Sequence, residues 1–172
     1  DGAHFASYGA APTSPAEVYT SDASFRNPLR LTTTNPQLAS ITMGETEVVT
    51  WKSSDGWSVE GVLLKPVGYQ PGQRVPLLVD VHGGPTGAHT NGFKASWGNA
   101  GQFWAGKGWA VLYPNPRGST GYGEKFMRGN IKDWGGGDYR DIMTGVDELV
   151  RRGIADSTRL AITGWSYGGY MT

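Results

Sequence analysis

The chain has 172 residues, with 15 Lys or Arg set against 15 Asp or Glu, so its formal net charge is zero. That balance argues against a nucleic-acid partner, which needs one cation per neutralised phosphate, and a 38 % hydrophobic content with 12 % aromatics argues against disorder. The absence of Cys excludes disulfides, zinc–thiolate sites and thiol catalysis, and no apolar run approaches the roughly 20 residues needed to span a bilayer.

Residues 1–40 are rich in Ala, Ser, Thr and Pro. Their opening, Asp1-Gly2-Ala3-His4, has no initiator Met and none of the basic and apolar regions of a signal peptide. Residues 16–20 and 28–32 read as short strands around the turn-prone Ser21-Asp22-Ala23-Ser24. An isolated hairpin is marginal in water, so these strands would belong to a larger sheet; the alternative is a mobile linker, which small polar residues also favour.

From residue 47 the pattern changes. Residues 47–51 and 58–64 flank Ser53-Ser54-Asp55-Gly56, a hairpin signal. Residues 77–81 are almost wholly apolar, as in a strand buried on both faces. Residues 96–107 place Trp97, Ala100, Gly101, Trp104 and Ala105 on one helical face, with the Trp residues read as core, and Gly108 can end the helix. A second buried strand at 109–113 is stopped by Pro114. Residues 114–138 form a long glycine-rich loop. A helix over 139–152 presents Ile142, Val146, Leu149 and Val150, with Arg151 and Arg152 complementing its C-terminal dipole and Gly153 as its cap. A third buried strand is expected at 160–163. The chain stops at Tyr170-Met171-Thr172 inside what should be a new helix, so it reads as an internal fragment of a longer protein.

A hairpin followed by strand–helix–strand–helix–strand predicts an α/β fold, a mostly parallel sheet with helices on both faces. Its ligands should sit at the carboxyl ends of the strands. The glycine-rich segments fall at those ends, after residues 81, 113 and 163.

Gly164-Trp165-Ser166-Tyr167-Gly168-Gly169 fits G-x-S-x-G between a strand and a helix. At such a bend the chain reverses at one residue, which leaves Ser166 strained and its hydroxyl exposed above the sheet. Side chains two positions either side would collide, so Gly164 and Gly168 are needed there. The turn aims the Tyr167 N–H above Ser166, and the following helix N-terminus favours an oxyanion. The competing reading is a glycine-rich turn with an incidental serine.

His82-Gly83-Gly84-Pro85 ends the first parallel strand. A Gly-Gly turn can bring a backbone N–H to a carbonyl oxygen on which charge develops, with Gly84 the preferred donor and Gly83 the alternative. His82 could serve as the base, but a histidine ending a strand more often braces the loop; His4 and His89 have no supporting context. The segment 114–123 superficially resembles a phosphate cradle, yet it lacks the lysine and Ser/Thr of a P-loop, and a cleft-lining role fits it better. Within it, Arg117 could hold a carboxylate or pair structurally with Asp138 or Asp141, and the structural pairing is favoured. The Trp134-Gly135-Gly136-Gly137-Asp138 run reads as a turn that caps the next helix.

Three strings carry a resemblance: Val81-His82-Gly83-Gly84-Pro85, Asn115-Pro116-Arg117-Gly118-Ser119-Thr120-Gly121-Tyr122-Gly123, and Gly164-Trp165-Ser166-Tyr167-Gly168-Gly169-Tyr170-Met171-Thr172. In this order and spacing the chain, from about residue 45 to 172, resembles the prolyl oligopeptidase family of serine peptidases, most closely its acylaminoacyl-peptidase branch. The dipeptidyl-peptidase branch usually carries Tyr at the position of His82, and the difference favours backbone donors here. The resemblance implies an α/β-hydrolase domain over 43–172, truncated after the elbow, preceded by the last β-propeller strands and linker over 1–42. It implies Ser166 as nucleophile, Tyr167 with Gly84 and Gly83 as oxyanion hole, His82 and Arg117 lining the cleft, short peptides as substrates, and neither cofactor nor metal. A carboxylesterase and a catalytically silent scaffold are the alternatives, and self-association is left open. A cytoplasmic setting is favoured over a periplasmic or secreted one. The family's acid and base follow the serine in chain order and would lie beyond Thr172. Made alone, the 172 residues are therefore expected to be inactive, and to aggregate through an unpaired apolar edge at 160–163.

Overall fold

The computed structural model describes residues 3–96 and 98–172. Trp97, read above as a core residue of a helix, lies outside the described residues. Two sheets are present. The first is antiparallel: β1 (His4–Ala11), β2 (Ser14–Asp22) and β3 (Leu29–Arg30), with Tyr19 opposite Arg30. The sequence reading found β2 and β3 but missed β1, whose small residues alternate weakly. Buried Glu17 ties β2 to β3 and to the segment after it, accepting from Arg30 Nη2 and the Thr34 amide, each at 2.9 Å.

The second sheet has the order β4-β5-β7-β6-β8, built from β4 (Thr46–Lys52), β5 (Ser58–Leu64), β6 (Val75–Val81), β7 (Ala110–Asn115) and β8 (Ala155–Gly164). It is mixed. β4–β5 and β5–β7 pair antiparallel, and β6 pairs parallel with both β7 and β8. β7 runs through Pro114 instead of stopping before it. Its registered partners on β6 end at Leu112, so beyond that point only the β5 side must be satisfied and a proline is tolerated.

Alternate side chains of each strand feed two cores. On one face, Val49, Trp51, Val59, Leu63, Leu77, Val79, Val81 and Leu112 meet Ile142, Val146 and Leu149 of α3 (Gly137–Arg151). On the other, Val62, Leu64, Leu78, Val111 and Tyr113 pack with Ala105 of α1 (Gly101–Gly106), and Trp104 is only partly buried there. Helices therefore cover both faces, as the alternation of elements predicts.

α1 is half the predicted length. Ser96 and Asn99 form an isolated bridge before it, and the Asn99 carboxamide accepts from the Tyr113 hydroxyl at 2.7 Å, a tertiary bond that holds the chain out of helix. The glycine-rich segment contains a short helix, α2 (Glu124–Met127), and α4 (Tyr167–Tyr170) follows β8. β8 is longer than predicted and is not a buried strand. Among the described residues it pairs only with β6, and it leaves Leu160 and Ile162 45 % and 42 % exposed. Among the described residues no helix is long and apolar enough to cross a membrane.

Candidate active site

β8 hands over to α4 within two residues. Ser166 sits at φ 58°, ψ −120°, a sparsely populated conformation for a non-glycine residue, and it is exposed. The bend is closed by two close approaches. A Cβ on Gly164 would lie 2.4 Å from the Gly168 carbonyl carbon, and one on Gly168 would lie 2.0 Å from the Val81 carbonyl oxygen. Any side chain at either position would push the elbow off the end of β6. The collision expected between the flanking positions is thus present, and it involves the neighbouring strand as well.

The loop after β6 lies against this bend. A Cβ on Gly83 would stand 3.2 Å from Ser166 Cβ and 3.8 Å from its Oγ, so the Gly-Gly turn and the serine are neighbours. Gly84 adopts φ 133°, open to glycine alone, and a Cβ there would strike the Thr86 amide at 2.4 Å. Among the described residues, the Gly84 and Tyr167 amides have no backbone acceptor.

His82 holds this loop. Its Nδ1 is 2.8 Å from the Gly83 carbonyl, which can only accept, so Nδ1 donates. Burial pushes the ring's pKa below the usual histidine value, and Nε2 lies 2.9 Å from the oxygen of the Ser119 hydroxyl, which donates to the Pro116 carbonyl at 2.6 Å. Because a peptide is planar and trans, turning the Gly83 carbonyl toward the ring points the Gly84 N–H the opposite way. Both ring nitrogens are committed to the loop, so His82 is a brace and is unavailable as a base for Ser166.

Arg117 does not line a cleft, contrary to that expectation. It is buried, and it pairs with Asp141 as anticipated, but with Asp55 as its second partner and not Asp138. Nε and Nη2 donate to Asp141 at 2.9 and 2.6 Å, Nη1 and Nη2 donate to Asp55 at 2.6 and 2.8 Å, and the guanidinium stacks 4.8 Å from the Trp57 ring centre. Bonding to Arg117 holds the Asp55 carboxyl at about 2. The 134–138 run turns into α3, and its first-turn amides are shared between Asp133, which lies just before the run and accepts from Gly137 at 2.8 Å, and Asp138, which accepts from Tyr139 at 2.9 Å.

Sequence reading missed Ser119, Asn115 and His89. The Asn115 side chain clamps the His89 backbone like a short strand, accepting from its N–H at 2.7 Å and donating to its carbonyl at 2.9 Å. His89 Nε2 meets the Asp80 carbonyl at 3.0 Å. Burial, with the charges of His82 and Lys94 adding to it, pushes His89 down to about 3. A base whose folded pKa lies below its unfolded value of about 6.5 resists protonation in the folded state. Stability is therefore complete above pH 6.5 and drains as pH falls from there toward 3, by up to about 1.4 kcal/mol per pH unit. The thermal midpoint of the full-length protein should drop between pH 7.5 and 5, and His89→Gln should flatten that drop; an unchanged slope would contradict the burial argument.

A cavity of about 580 Å³ opens on the α1 side, lined by Asp80, Trp104, Tyr113, Thr163, Gly164 and Trp165 among others. It touches the elbow at Gly164 and Trp165 and not at Ser166, so it lies apart from the space in front of the hydroxyl. Among the described residues no three His, Asp or Glu side chains converge as a metal ion requires.

Residues 96–172 match the model of the prolyl oligopeptidase family. The whole chain is 36 % identical to the uncharacterized peptidase YuxL of Bacillus subtilis (strain 168), of which it covers 26 %, and 73 % of it is 35 % identical to dipeptidyl-peptidase 5 of Schizosaccharomyces pombe, of which it covers 18 %. Among solved structures, the acylaminoacyl peptidase of Pyrococcus horikoshii superposes on 97 % of the chain with a TM-score of 0.83 at 34 % identity. A puromycin-hydrolyzing peptidase of Mycobacterium tuberculosis does so on 99 % with a TM-score of 0.86 at 28 % identity. Either structure is covered to 26 %, so the chain spans about a quarter of their length. With its strand-to-helix bend at Ser166, its mixed sheet flanked by helices and these relatives, the chain has the α/β-hydrolase fold and belongs to the prolyl oligopeptidase family.

Proposed function

We propose that this chain is part of a serine peptidase that hydrolyses short peptides through an acyl-enzyme on Ser166. One observation carries the reading: an exposed serine is held at φ 58° on a strand-to-helix bend, beside a Gly-Gly loop whose Gly84 amide, like that of Tyr167, has no backbone acceptor among the described residues. In the reaction, Ser166 Oγ attacks the peptide carbonyl while a base takes its proton. The tetrahedral oxyanion accepts from the Tyr167 and Gly84 amides, with Gly83 shaping the loop between them. The C–N bond then breaks, the amine leaves with the proton, and water hydrolyses the ester to free the acid and the serine.

The base and its orienting acid belong, in this proposal, to sequence after Thr172 in the full-length protein, in the order Ser…Asp…His. Residues 43–172 then form the first part of the hydrolase domain and residues 1–42 the end of a preceding β-propeller with its linker; the three-stranded antiparallel sheet is consistent with such a blade. The 172 residues alone should show no turnover of a chromogenic peptide and should aggregate, because β8 leaves apolar side chains on an unpaired edge. Rapid turnover by soluble isolated chain would refute this.

The likeness to a dipeptidyl-peptidase 5 and to an acylaminoacyl peptidase supports an acylaminoacyl- or dipeptidyl-peptidase-like activity. A carboxylesterase is the second reading, because the same bend suits ester hydrolysis. In the full-length protein, a fluorophosphonate should label Ser166 stoichiometrically, Ser166→Ala should abolish the labelling, and kcat/KM for a peptide amide should be comparable with that for a matched ester. Labelling at another residue would reject the assignment, and cleavage confined to the ester would transfer it to the second reading.

A further inference from the structure

The bend at Ser166 is strained, and strain persists only where the surroundings over-determine it. Most of residues 164–169 are glycine or exposed, and among the described residues the Tyr167 hydroxyl is the only side-chain group in that stretch that hydrogen-bonds elsewhere. Its acceptor is Asp138, 29 residues earlier, in the first turn of α3. Asp138 is fully buried. Oδ1 accepts from the Tyr139 amide at 2.9 Å, and Oδ2 accepts from Asn130 Nδ2 at 3.2 Å and from the Tyr167 phenol. Asn130 is itself 2 % exposed. The Tyr167 ring is flanked by Trp134 and Tyr170, with centroids 5.3 and 5.5 Å away.

We propose that Asp138 is a positioning residue for the proposed reaction: through the Tyr167 phenol it fixes the first turn of α4, and so the direction of the Tyr167 amide that faces the oxyanion. The inference rests on the reading of Ser166 as nucleophile. A buried carboxylate is costly unless its acceptor positions are filled, and here they are filled by Tyr139, Asn130 and Tyr167. Burial and the Asp138 carboxylate both raise the phenol's pKa, so Tyr167 stays a donor throughout the neutral range. The charge-assisted bond is stronger than a neutral one. One end of Tyr167 is thereby tied beneath the elbow while its amide stays at the surface.

The opposite donor is referred to the same helix. One turn beyond Asp138, Asp141 accepts from the Arg117 amide at 2.8 Å and fixes the loop that carries Ser119. Ser119 meets His82, and His82 holds the Gly83 carbonyl. The start of α3 is thus a common reference for both amides, by a direct tie at Tyr167 and by a relay at Gly84. A rigid support of this kind keeps donors in place without reorganisation during reaction.

The test is steady-state peptide hydrolysis by the full-length protein, with active sites counted by fluorophosphonate titration. Tyr167→Phe, which keeps the ring and leaves Asp138 bonded to Tyr139 and Asn130, should lower kcat about tenfold with KM within about twofold, the loss expected for one displaced donor interaction. Asp138→Ala should lower kcat at least as far, whereas Asp138→Asn, which still offers the phenol an oxygen, should return to within about threefold of wild type. Wild-type kcat in Tyr167→Phe, or equal kcat in the Asn and Ala variants, overturns the proposal, as does a rise in KM at unchanged kcat. If Asp138→Ala does not fold, Tyr167→Phe decides by itself. A wild-type protein not labelled at Ser166 would sink the nucleophile reading and this inference together; intact labelling with unaffected variants would sink this inference alone.

Discussion

Ser166→Ala in the full-length protein should lower kcat/KM by about 10⁶, leaving about 10³–10⁴ over the uncatalysed rate from the oxyanion donors and binding. The loss is large because a serine activated by a base acts as one unit with it, and nothing remains to form the acyl-enzyme once the oxygen is gone. Folding should be untouched. The hydroxyl is exposed and makes no hydrogen bond among the described residues, and alanine suffers the φ 58° backbone no more than serine does. The thermal midpoint should therefore hold while turnover disappears. A variant retaining activity within about tenfold of wild type would place the nucleophile elsewhere. A midpoint falling along with activity would show that Ser166 serves the fold.

The largest expected effect on stability lies at Asp141. Its carboxylate is fully buried and accepts from the Arg117 amide, Nε and Nη2. Asp141→Ala removes the wholly buried partner of a guanidinium that is itself only 4 % exposed. Breaking such a pair from one side costs about 3–5 kcal/mol, because the remaining charge stays buried with its bonds unmade. Asp55 still holds the far side of the guanidinium, but its side chain is 38 % exposed, so Asp55→Ala should cost much less. Urea unfolding of the full-length protein, followed by fluorescence, separates the two variants: Asp141→Ala should shift the midpoint strongly and Asp55→Ala weakly. Equal shifts would mean that burial does not set the energetics of this cluster. Because Arg117 also fixes the loop leading to Ser119 and His82, Asp141→Ala protein that still folds should lose activity as well.

Several features were legible in the residues because their causes are local. The bend at Ser166 follows from two glycines spaced two positions either side of it, and the strands from apolar runs bounded by turn residues. The hairpin through Ser53-Ser54-Asp55-Gly56 was readable in the same way, with Thr46 paired to Leu64 and Lys52 to Ser58. Even the preference for bracing at His82 came from its place at a strand end. The misreadings arose where a distant group overrode a local pattern. Residues 96–100 have helical spacing, yet Asn99 is drawn to Tyr113, 14 positions on. Pro114 would end an isolated strand, but β5 supplies a partner on the one side that requires it. Leu160 and Ile162 read as core because they are apolar, but among the described residues β8 pairs with β6 alone and leaves both exposed.

By itself, then, the sequence determined the α/β order and the strand-to-helix bend, since backbone sterics and side-chain periodicity act over a few neighbouring positions. Only the tertiary structure decided that Arg117 joins Asp141 and Asp55, that Ser119 reaches His82 across 37 positions, and that Asp138 lies under Tyr167. Those partners meet because the sheet brings strand ends together and packs α3 beneath them, and a charge or hydroxyl taken into that space must accept whichever partner the packing presents.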